Sequence, residues 1–389
     1  MSVARGKATD FSCVTTKNMT MKGANFLEKL LDNQPVEWKK LGEVCDIKTG
    51  KGVTKKDAVE DGVYPIISGG KTPMDYIDKY NRDANTVTVS RVGANAGYVN
   101  YLGEKFYLND KCFSVIPRID YIHSKFLYYI LKVREQQITA MQSLGGVPTI
   151  NTSKVGSIEI PIPPLSVQSR IVEILDKFTS LEAELEAELD CRKRQYIYYR
   201  ELLLDFSQHN NIQWKKLGEV CEVLRGRRLT KKQLSQDKEG FAVYHGGVVP
   251  IGYYPTANRK ANSTMVINVG ASAGTVGYSR EEYWSSDGCY CFTENPVLIQ
   301  RFLFYYLQSI EHKIKSKVRV AGIPTLDANI LYNLEIPLPP LSEQERIVEI
   351  LDKFDTLTNS ISEGLPLEIQ LRRQQYEYYR EQLLAFPHP

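Results

Sequence analysis

Between Ile171 and Phe206 the apolar positions Ile171, Ile174, Phe178, Leu181, Leu185, Leu189, Tyr196, Tyr199, Leu203 and Phe206 recur at mostly three- and four-residue intervals. That spacing lines one face of a helix and predicts a single helix over 166–206, about 40 residues and roughly 60 Å long. Arg192 breaks the stripe in its middle. No compact domain needs such a helix for its own core, so the seam calls for a partner at coiled-coil spacing. The chain supplies one: Ser342–Phe354 repeats Ser166–Phe178 almost residue for residue, with Ile347, Ile350, Phe354 and Leu357 as the matching seam. Ser166 and Ser342 stand where N-caps are expected, and Ser342 with Glu345 has capping-box spacing.

The second helix departs from the first. Trp214 follows Trp38 by 176 positions (214 − 38), but Tyr379 follows Tyr199 by 180 (379 − 199), so about four residues have entered near Gly364–Glu368. That stretch holds Pro366, and a proline inside a helix costs about 3 kcal/mol or more. A kink or a fresh start is expected there, with 343–362 and 367–386 as two pieces.

The segments ahead of these helices mix both periodicities, and they too are duplicated. Thr86–Val89 and Thr264–Ile267 read as strands, each followed by a glycine turn, Gly93–Gly97 and Gly270–Gly274. Phe126–Leu131 and Phe302–Leu307 begin helices. Turns at Gly145–Thr149 and Ala321–Thr325 precede short strands that run into Pro161–Pro164 and Pro337–Pro340, where proline bars helix until the run ends. A short apolar helix, Phe26–Leu31, precedes the first copy, and the similar Leu202–Phe206 precedes the second. The N-terminal helix is therefore expected to meet the C-terminal one. The reading is an α/β (α+β) tandem repeat with approximate two-fold symmetry. Its parts are a tail at 1–23, a mixed domain at 24–165, a helix at 166–206, a second mixed domain at 207–341 and a second helical segment at 342–389.

Composition changes this picture little. Of 389 residues, 42% are hydrophobic and 24% charged, an ordinary globular balance. No apolar run reaches the roughly 18–20 residues of a membrane span, and the start lacks a signal-peptide pattern. A cytoplasmic chain with no membrane partner is expected. Seven cysteines include no Cys-x-x-Cys pair; Cys45 matches Cys221 and Cys112 matches Cys289, as buried thiols in a reducing compartment would. No metal ligand set is expected.

The search for chemistry comes back empty. Gly69–Thr72 resembles the end of a phosphate-binding loop, but Pro65 stands where that motif needs glycine. The Pro-Pro pairs follow Ile162 and Leu338, not the Asn or Asp of a DNA-methyltransferase motif, and no His-Glu-x-x-His occurs. Asp110 and Asp287 align as single acids, which is the pattern of structural carboxylates. No nucleophile, base and oxyanion set can be assembled.

Charge distribution says more than the net +3. Basic residues gather where the copies diverge: Lys48, Lys51, Lys55, Lys56, Lys71, Arg91 and Lys111 in the first, Arg225, Arg227, Arg228, Lys231, Lys232, Arg259 and Lys260 in the second. Polar side chains able to meet base edges sit nearby: Ser68 and Asn95 against His245, Asn268 and Ser272. Shared segments build a scaffold, and positions that differ on it are free to read different things. Lysines and arginines suit phosphates, and the divergent polar groups suit bases. Duplex DNA, whose backbone has two-fold symmetry, is a natural ligand for a duplicated chain. The competing readings are a coiled-coil scaffold binding only proteins and a stand-alone DNA-modifying enzyme. The divergent basic loops speak against the first, the missing motifs against the second.

Four tandem features carry a family resemblance. They are Trp38–Gly42 and Trp214–Gly218, the glycine pairs 69–70 and 246–247, the glycine hairpin turns, and Ile-Pro-x-Pro-Pro-Leu-Ser-x-Gln-x-Arg-Ile-Val at 160–172 and 336–348. The chain resembles the specificity subunit of type I restriction-modification systems over all but about its first 20 residues. The resemblance implies two target-recognition domains separated by two antiparallel helices. Each domain would read one half of a split site on double-stranded DNA. The helices would set the gap and dock two methyltransferase subunits that bind S-adenosylmethionine and methylate adenine. Nuclease-translocase subunits would join for cleavage, with magnesium and ATP on the partners and no cofactor or catalytic residue on this chain. Helix packing is expected from Ile171, Ile174, Phe178, Leu181, Leu185, Tyr199, Ile347, Ile350, Phe354, Leu357 and Tyr379.

Overall fold

A computed structural model describes residues 26–387, apart from 144, 209, 210, 238 and 361. The expected tail at 1–23 lies outside the described residues. The chain forms two compact units: one takes the residues up to Glu182 and those from Leu371 on, the other Ala183–Gln370.

In the first unit the elements run α1 (Phe26–Leu31), β1 (Glu37–Lys40), α2 (Leu41–Val44), β2 (Cys45–Thr49), β3 (Tyr64–Ile67), β4 (Tyr76–Ile77), β5 (Thr86–Ser90), β6 (Val99–Leu102), β7 (Tyr107–Leu108), β8 (Cys112–Pro117), α3 (Ser124–Val133), α4 (Glu135–Ala140), α5 (Thr152–Gly156) and β9 (Glu159–Ile162). A four-stranded antiparallel sheet has the order β2-β8-β5-β6, and a three-stranded sheet β4-β3-β7 carries one parallel pair. The first and last strands of the repeat pair with each other, Trp38 opposite Pro161. The proline is tolerated because this two-stranded ladder has free edges. α6 (Leu165–Leu204) follows.

The second unit repeats the plan. Its elements are β10 (Gln213–Lys216), α7 (Leu217–Val220), β11 (Val223–Arg225), β12 (Phe241–Tyr244), β13 (Gly252–Tyr254), β14 (Ser263–Ile267), β15 (Val276–Ser279), β16 (Tyr283–Ser285), β17 (Cys289–Phe292), α8 (Gln300–Ser309), α9 (Glu311–Lys315), α10 (Ala328–Tyr332) and β18 (Glu335–Leu338). The sheets are β11-β17-β14-β15, β13-β12-β16 and β10-β18, the same three ladders in the same order. α11 (Leu341–Asn359) and α12 (Gly364–Leu384) complete the chain.

The glutamine present in both copies of the motif explains how each long helix is fixed to its domain. Gln168 is fully buried; its Nε2 donates to the carbonyls of Tyr121 (2.8 Å) and Pro163 (2.7 Å), and its Oε1 accepts from the His123 amide (2.8 Å). Gln344 does the same with Val297, Pro339 and Ile299, each at 2.9 Å. Three bonds leave no buried amide group unmade at this junction. The helix starts differ from the expected serine caps. α11 begins at Leu341, with Pro340 as its N-cap residue and no side-chain cap. The Pro340 carbonyl takes the amides of Glu343 and Gln344, so Ser342 lies inside the first turn and cannot cap it.

The long helices have no core of their own. Val167, Ile171, Val172 and Leu175 join the first domain's core together with Leu383 and Leu384 from α12 and Phe386 just beyond it. Phe178 stacks on Tyr379 with centroids 5.3 Å apart, and Glu182 pairs with Arg373, so these two segments run antiparallel. Phe26 meets Tyr379 edge-on at 5.8 Å, so the N-terminal helix does reach the C-terminal one. In the second unit Tyr196, Leu204 and Phe206 share a core with Ile347 and Leu351, and Tyr199 stacks on Phe354 at 5.5 Å. Ile174, Leu185, Ile350 and Leu357 are half-buried. Leu181 is a correction: it is 44% exposed. At 100° per residue, position 182 rather than 181 follows Phe178 toward α12, and Glu182 takes that place.

A clamp recurs where helix meets domain. Tyr129 Oη donates to Asp176 (2.6 Å) and Lys125 Nζ reaches the same carboxylate (2.8 Å). In the second unit Tyr305 donates to Asp352, while Arg301 engages both Asp352 (2.6 Å) and Asp355 (2.8 Å). Burial first, then the bond to the carboxylate, pushes both phenols well above their ordinary range.

The break in the second helix is complete. Helix stops at Asn359 and restarts at Gly364, whose φ of +74° and lack of room for a Cβ (2.5 Å from the Thr356 carbonyl) both require glycine. Pro366 then sits in a first helical turn, where its missing N–H costs nothing.

Candidate nucleic-acid interface

Each domain brings the loops that follow its second, third and fifth strands together at one place. After β5 the chain turns through Gly93–Gly97, and the Gly93 amide binds the Pro148 carbonyl (3.0 Å) while Val92 bridges Thr149. After β14 the Gly270 amide binds the Pro324 carbonyl (2.9 Å) and Val269 bridges Thr325. Glycine is required where these turns touch the helix behind them: Gly97 and Gly274 have φ of +96° and +86°, and a Cβ would come within 2.9 Å of Thr139 or Lys315. Asn95 Nδ2 ties the first turn to the Gly69 carbonyl (3.1 Å), which gives that side chain a scaffolding task.

Of the sequence candidates in the first domain, Lys51, Lys71 and Lys111 are exposed, and Lys71 Nζ lies 5.8 Å from the Tyr98 ring. Lys48 is exposed but paired with Asp46 at 2.8 Å. Arg91 lies over the Phe113 ring (5.6 Å), and its Nη1 donates to the Asp110 carbonyl (3.3 Å). Ser68 is a correction: it is buried, because the Cys112 thiol bonds its carbonyl (3.0 Å) and draws the segment inward. β3 is an unbroken apolar run with Pro65, Ile66 and Ile67 all buried, and that burial extends one residue further to Ser68.

In the second domain, Arg225, Arg228, His245 and Asn268 line one cavity of about 590 Å³ together with Asp287, Lys317 and Arg319. Arg225 Nε donates to the Asp287 carbonyl (3.1 Å), and Asn268 Nδ2 donates to the same oxygen (3.2 Å). His245 Nδ1 stands 3.3 Å from Asp287 Oδ1, an ion pair once the imidazole is protonated. Asn268 is 2% exposed and its Oδ1 has no partner among the described residues. Arg227 and Lys231 are exposed, and the Arg227 carbonyl accepts from Trp284 (2.8 Å). Ser272 sits half-buried in the glycine turn. Arg259 is internal bracing: it donates to the Asn258 and Arg225 carbonyls.

Lys317 and Arg319 were not among the sequence candidates. They follow α9 in a stretch with no strand or helix signal, and the Arg319–Thr325 bridge, with Thr325 bridged in turn to Val269, brings them to the cavity. Val147 and Ile323 stand 65% and 69% exposed at equivalent turn tips. Paired apolar tips beside glycine and proline are the signal that marked them.

The thiols have no place in this chemistry. Burial pushes Cys45 and Cys289 up to about 12 and Cys112 and Cys221 up to about 11, so they stay protonated. No cluster of three or more metal-ligating side chains occurs among the described residues, and no described helix is long and apolar enough to cross a membrane.

Comparison with known proteins gives a consistent answer. Residues 33–190 and 210–371 each match the type I restriction modification DNA specificity domain. The chain is 33% identical over 390 residues to a putative type I restriction enzyme specificity subunit of Haemophilus influenzae, covering 93% of this chain and 98% of that one. It is 30% identical over 407 residues to the EcoR124I/EcoR124II specificity subunit of Escherichia coli, covering 95% and 99%. Its fold matches the crystal structure of a type I restriction-modification S subunit from M. genitalium with a TM-score of 0.67 at 20% identity, covering 92% and 98% of the two chains.

Proposed function

Because the chain belongs to the family of type I restriction-modification DNA specificity subunits, we propose that it is the non-catalytic target reader of a cytoplasmic DNA-methylating and DNA-cleaving complex. Each mixed domain reads one half of a two-part duplex site. The observation that carries this reading is one scaffold with two faces: equivalent ladders hold Arg91 and Thr49 in the first domain where the second has Asn268 and Arg225. Exposed lysines and arginines around these positions suit phosphate contact, which sets affinity and register.

Docking of two identical methyltransferase subunits is supported by what the copies share on the outside. Arg170, Glu173 and Lys177 recur as Arg346, Glu349 and Lys353, and all six are exposed. No core demands their identity, whereas one partner binding twice would. S-adenosylmethionine then belongs to those subunits, and magnesium and ATP to nuclease-translocase subunits.

The test is a domain exchange. Replacing residues 46–150 by the equivalent region of a relative, and mapping methylated adenine in cells that carry the partner subunits, should change one half of the target. The other half and the gap should stay. Both halves changing together, or methyl transfer by the purified chain alone, would sink the reading. Binding by the chain should also fall steeply with salt, by on the order of 10³–10⁵ between 50 and 200 mM for six to ten phosphate contacts.

A further inference from the structure

Both domains hold a guanidinium on the same backbone carbonyl, but they deliver it from different strands. In the first domain the donor is Arg91, one residue past β5, bound to the Asp110 carbonyl at 3.3 Å. In the second domain the residue one past β14 is Asn268, and Arg225 at the end of β11 makes the bond, to the Asp287 carbonyl at 3.1 Å. The place of Arg225 is filled in the first domain by Thr49: Thr49 pairs across the ladder with Phe113, and Arg225 with Tyr290. Arginine and a small polar residue have thus exchanged strands, and the anchored group is the same.

We infer that Arg91 and Arg225 are the guanine-reading residues of the first and second domains, each presenting the outer N–H groups of its anchored guanidinium to the O6 and N7 of one guanine. This rests on the proposed function of the domains as DNA readers. Three features separate these two arginines from phosphate contacts. Arg91 commits Nη1 and Arg225 commits Nε to that carbonyl, so each guanidinium is aimed before DNA arrives, and two side-by-side acceptors on a base edge match the outward N–H groups of an aimed guanidinium. The carbonyl belongs to an aspartate in both domains, and in the second the Asp287 side chain lines the same cavity as Arg225. That carboxylate offsets part of the positive charge of Arg228, Lys317 and Arg319 in the cavity, which favours a neutral base edge beside Arg225 over a phosphate. Exposed cations for phosphates are already at hand in Lys51 and Lys111, and in Arg227 and Lys231.

The experiment uses the full chain assembled with its methyltransferase subunits, on duplexes carrying the mapped target. Arg91→Lys and Arg225→Lys keep the charge and lose the fork. Each should keep overall affinity within a few-fold and lose about ten- to a hundred-fold of discrimination at one G·C pair, in its own half-site only. Replacing that guanine by 7-deazaguanine, which lacks N7, should weaken the unaltered chain and weaken the lysine variant less, because the ammonium keeps only a single-point contact. That second readout is independent of any loss of folding. Uniform weakening over all sequences with the motif unchanged would mark phosphate contacts and overturn the assignment. So would a half-site without guanine. A complex of the unaltered chain with no two-part motif would instead strike the proposed function, and this inference with it.

Discussion

Cys45, Cys112, Cys221 and Cys289 stay protonated because burial disfavours the thiolate, and that has a consequence for stability. Their folded pKa values, about 11 to 12, lie above the ordinary 9.0, so above pH 9 the unfolded chain gives up protons that the folded chain keeps. Their contribution is complete below about pH 9 and is lost as pH rises through 11 to 12. Urea midpoints should be level from about pH 7 to 8.5 and fall beyond. Cys45→Ala with Cys289→Ala should start lower at neutral pH, from lost packing, and fall less steeply. A fall as steep as that of the unaltered chain would show that other groups carry the alkaline loss. At this same scale the sequence was readable for types and silent on geometry. Arg91 and Arg225 stood out as basic residues in divergent loops, yet their shared anchor needs β8 between β2 and β5, an order no local pattern states. Ser68 and Asn95 looked like base readers because polarity in a loop does not reveal whether the side chain faces out or back onto its own scaffold.

At the scale of elements, periodicity located nearly everything that is long. The stripe from Ile171 placed α6, and the four added residues placed the break that Gly364 makes. What periodicity missed is that the seam serves two neighbours: Ile171 and Ile347 point into domain cores, while Phe178 and Tyr199 meet the other helical segment. The clamps that fix helix to domain are unequal, and this can be tested. Arg301 is 8% exposed and engages two carboxylates, whereas Lys125 and Asp176 are each about a third exposed and form one pair. Removing a largely buried partner strands the charges it compensated, while half-solvated pairs contribute little. Arg301→Ala should therefore cost about 2–4 kcal/mol in denaturant unfolding, and Lys125→Ala about 1 kcal/mol or less. Equal costs would mean that the tyrosine–aspartate bond, common to both, carries the junction.

At the scale of the whole chain, the connections decide what the two readers can do together. The units exchange chain at 182/183, inside α6, and at 370/371, inside α12. Both connections are helical, so length added there is carried as helix rather than absorbed by a loop. Four residues inserted after Leu185 and four more near Gln370 would add about 6 Å at 1.5 Å per residue. One base pair rises about 3.4 Å, so the preferred gap between half-sites should grow by one or two base pairs while the half-sites stay the same. Rotation limits which insertions work. Four residues turn a helix by about 40° beyond a full turn, and each base pair turns the groove by about a tenth of a turn. Insertions of two residues, which rotate a helix by roughly 200°, should abolish methylation instead. Mapping methylated adenine with the lengthened chain distinguishes the outcomes. An active variant that kept the original gap would reduce the helices to a docking surface and require another element to fix the spacing.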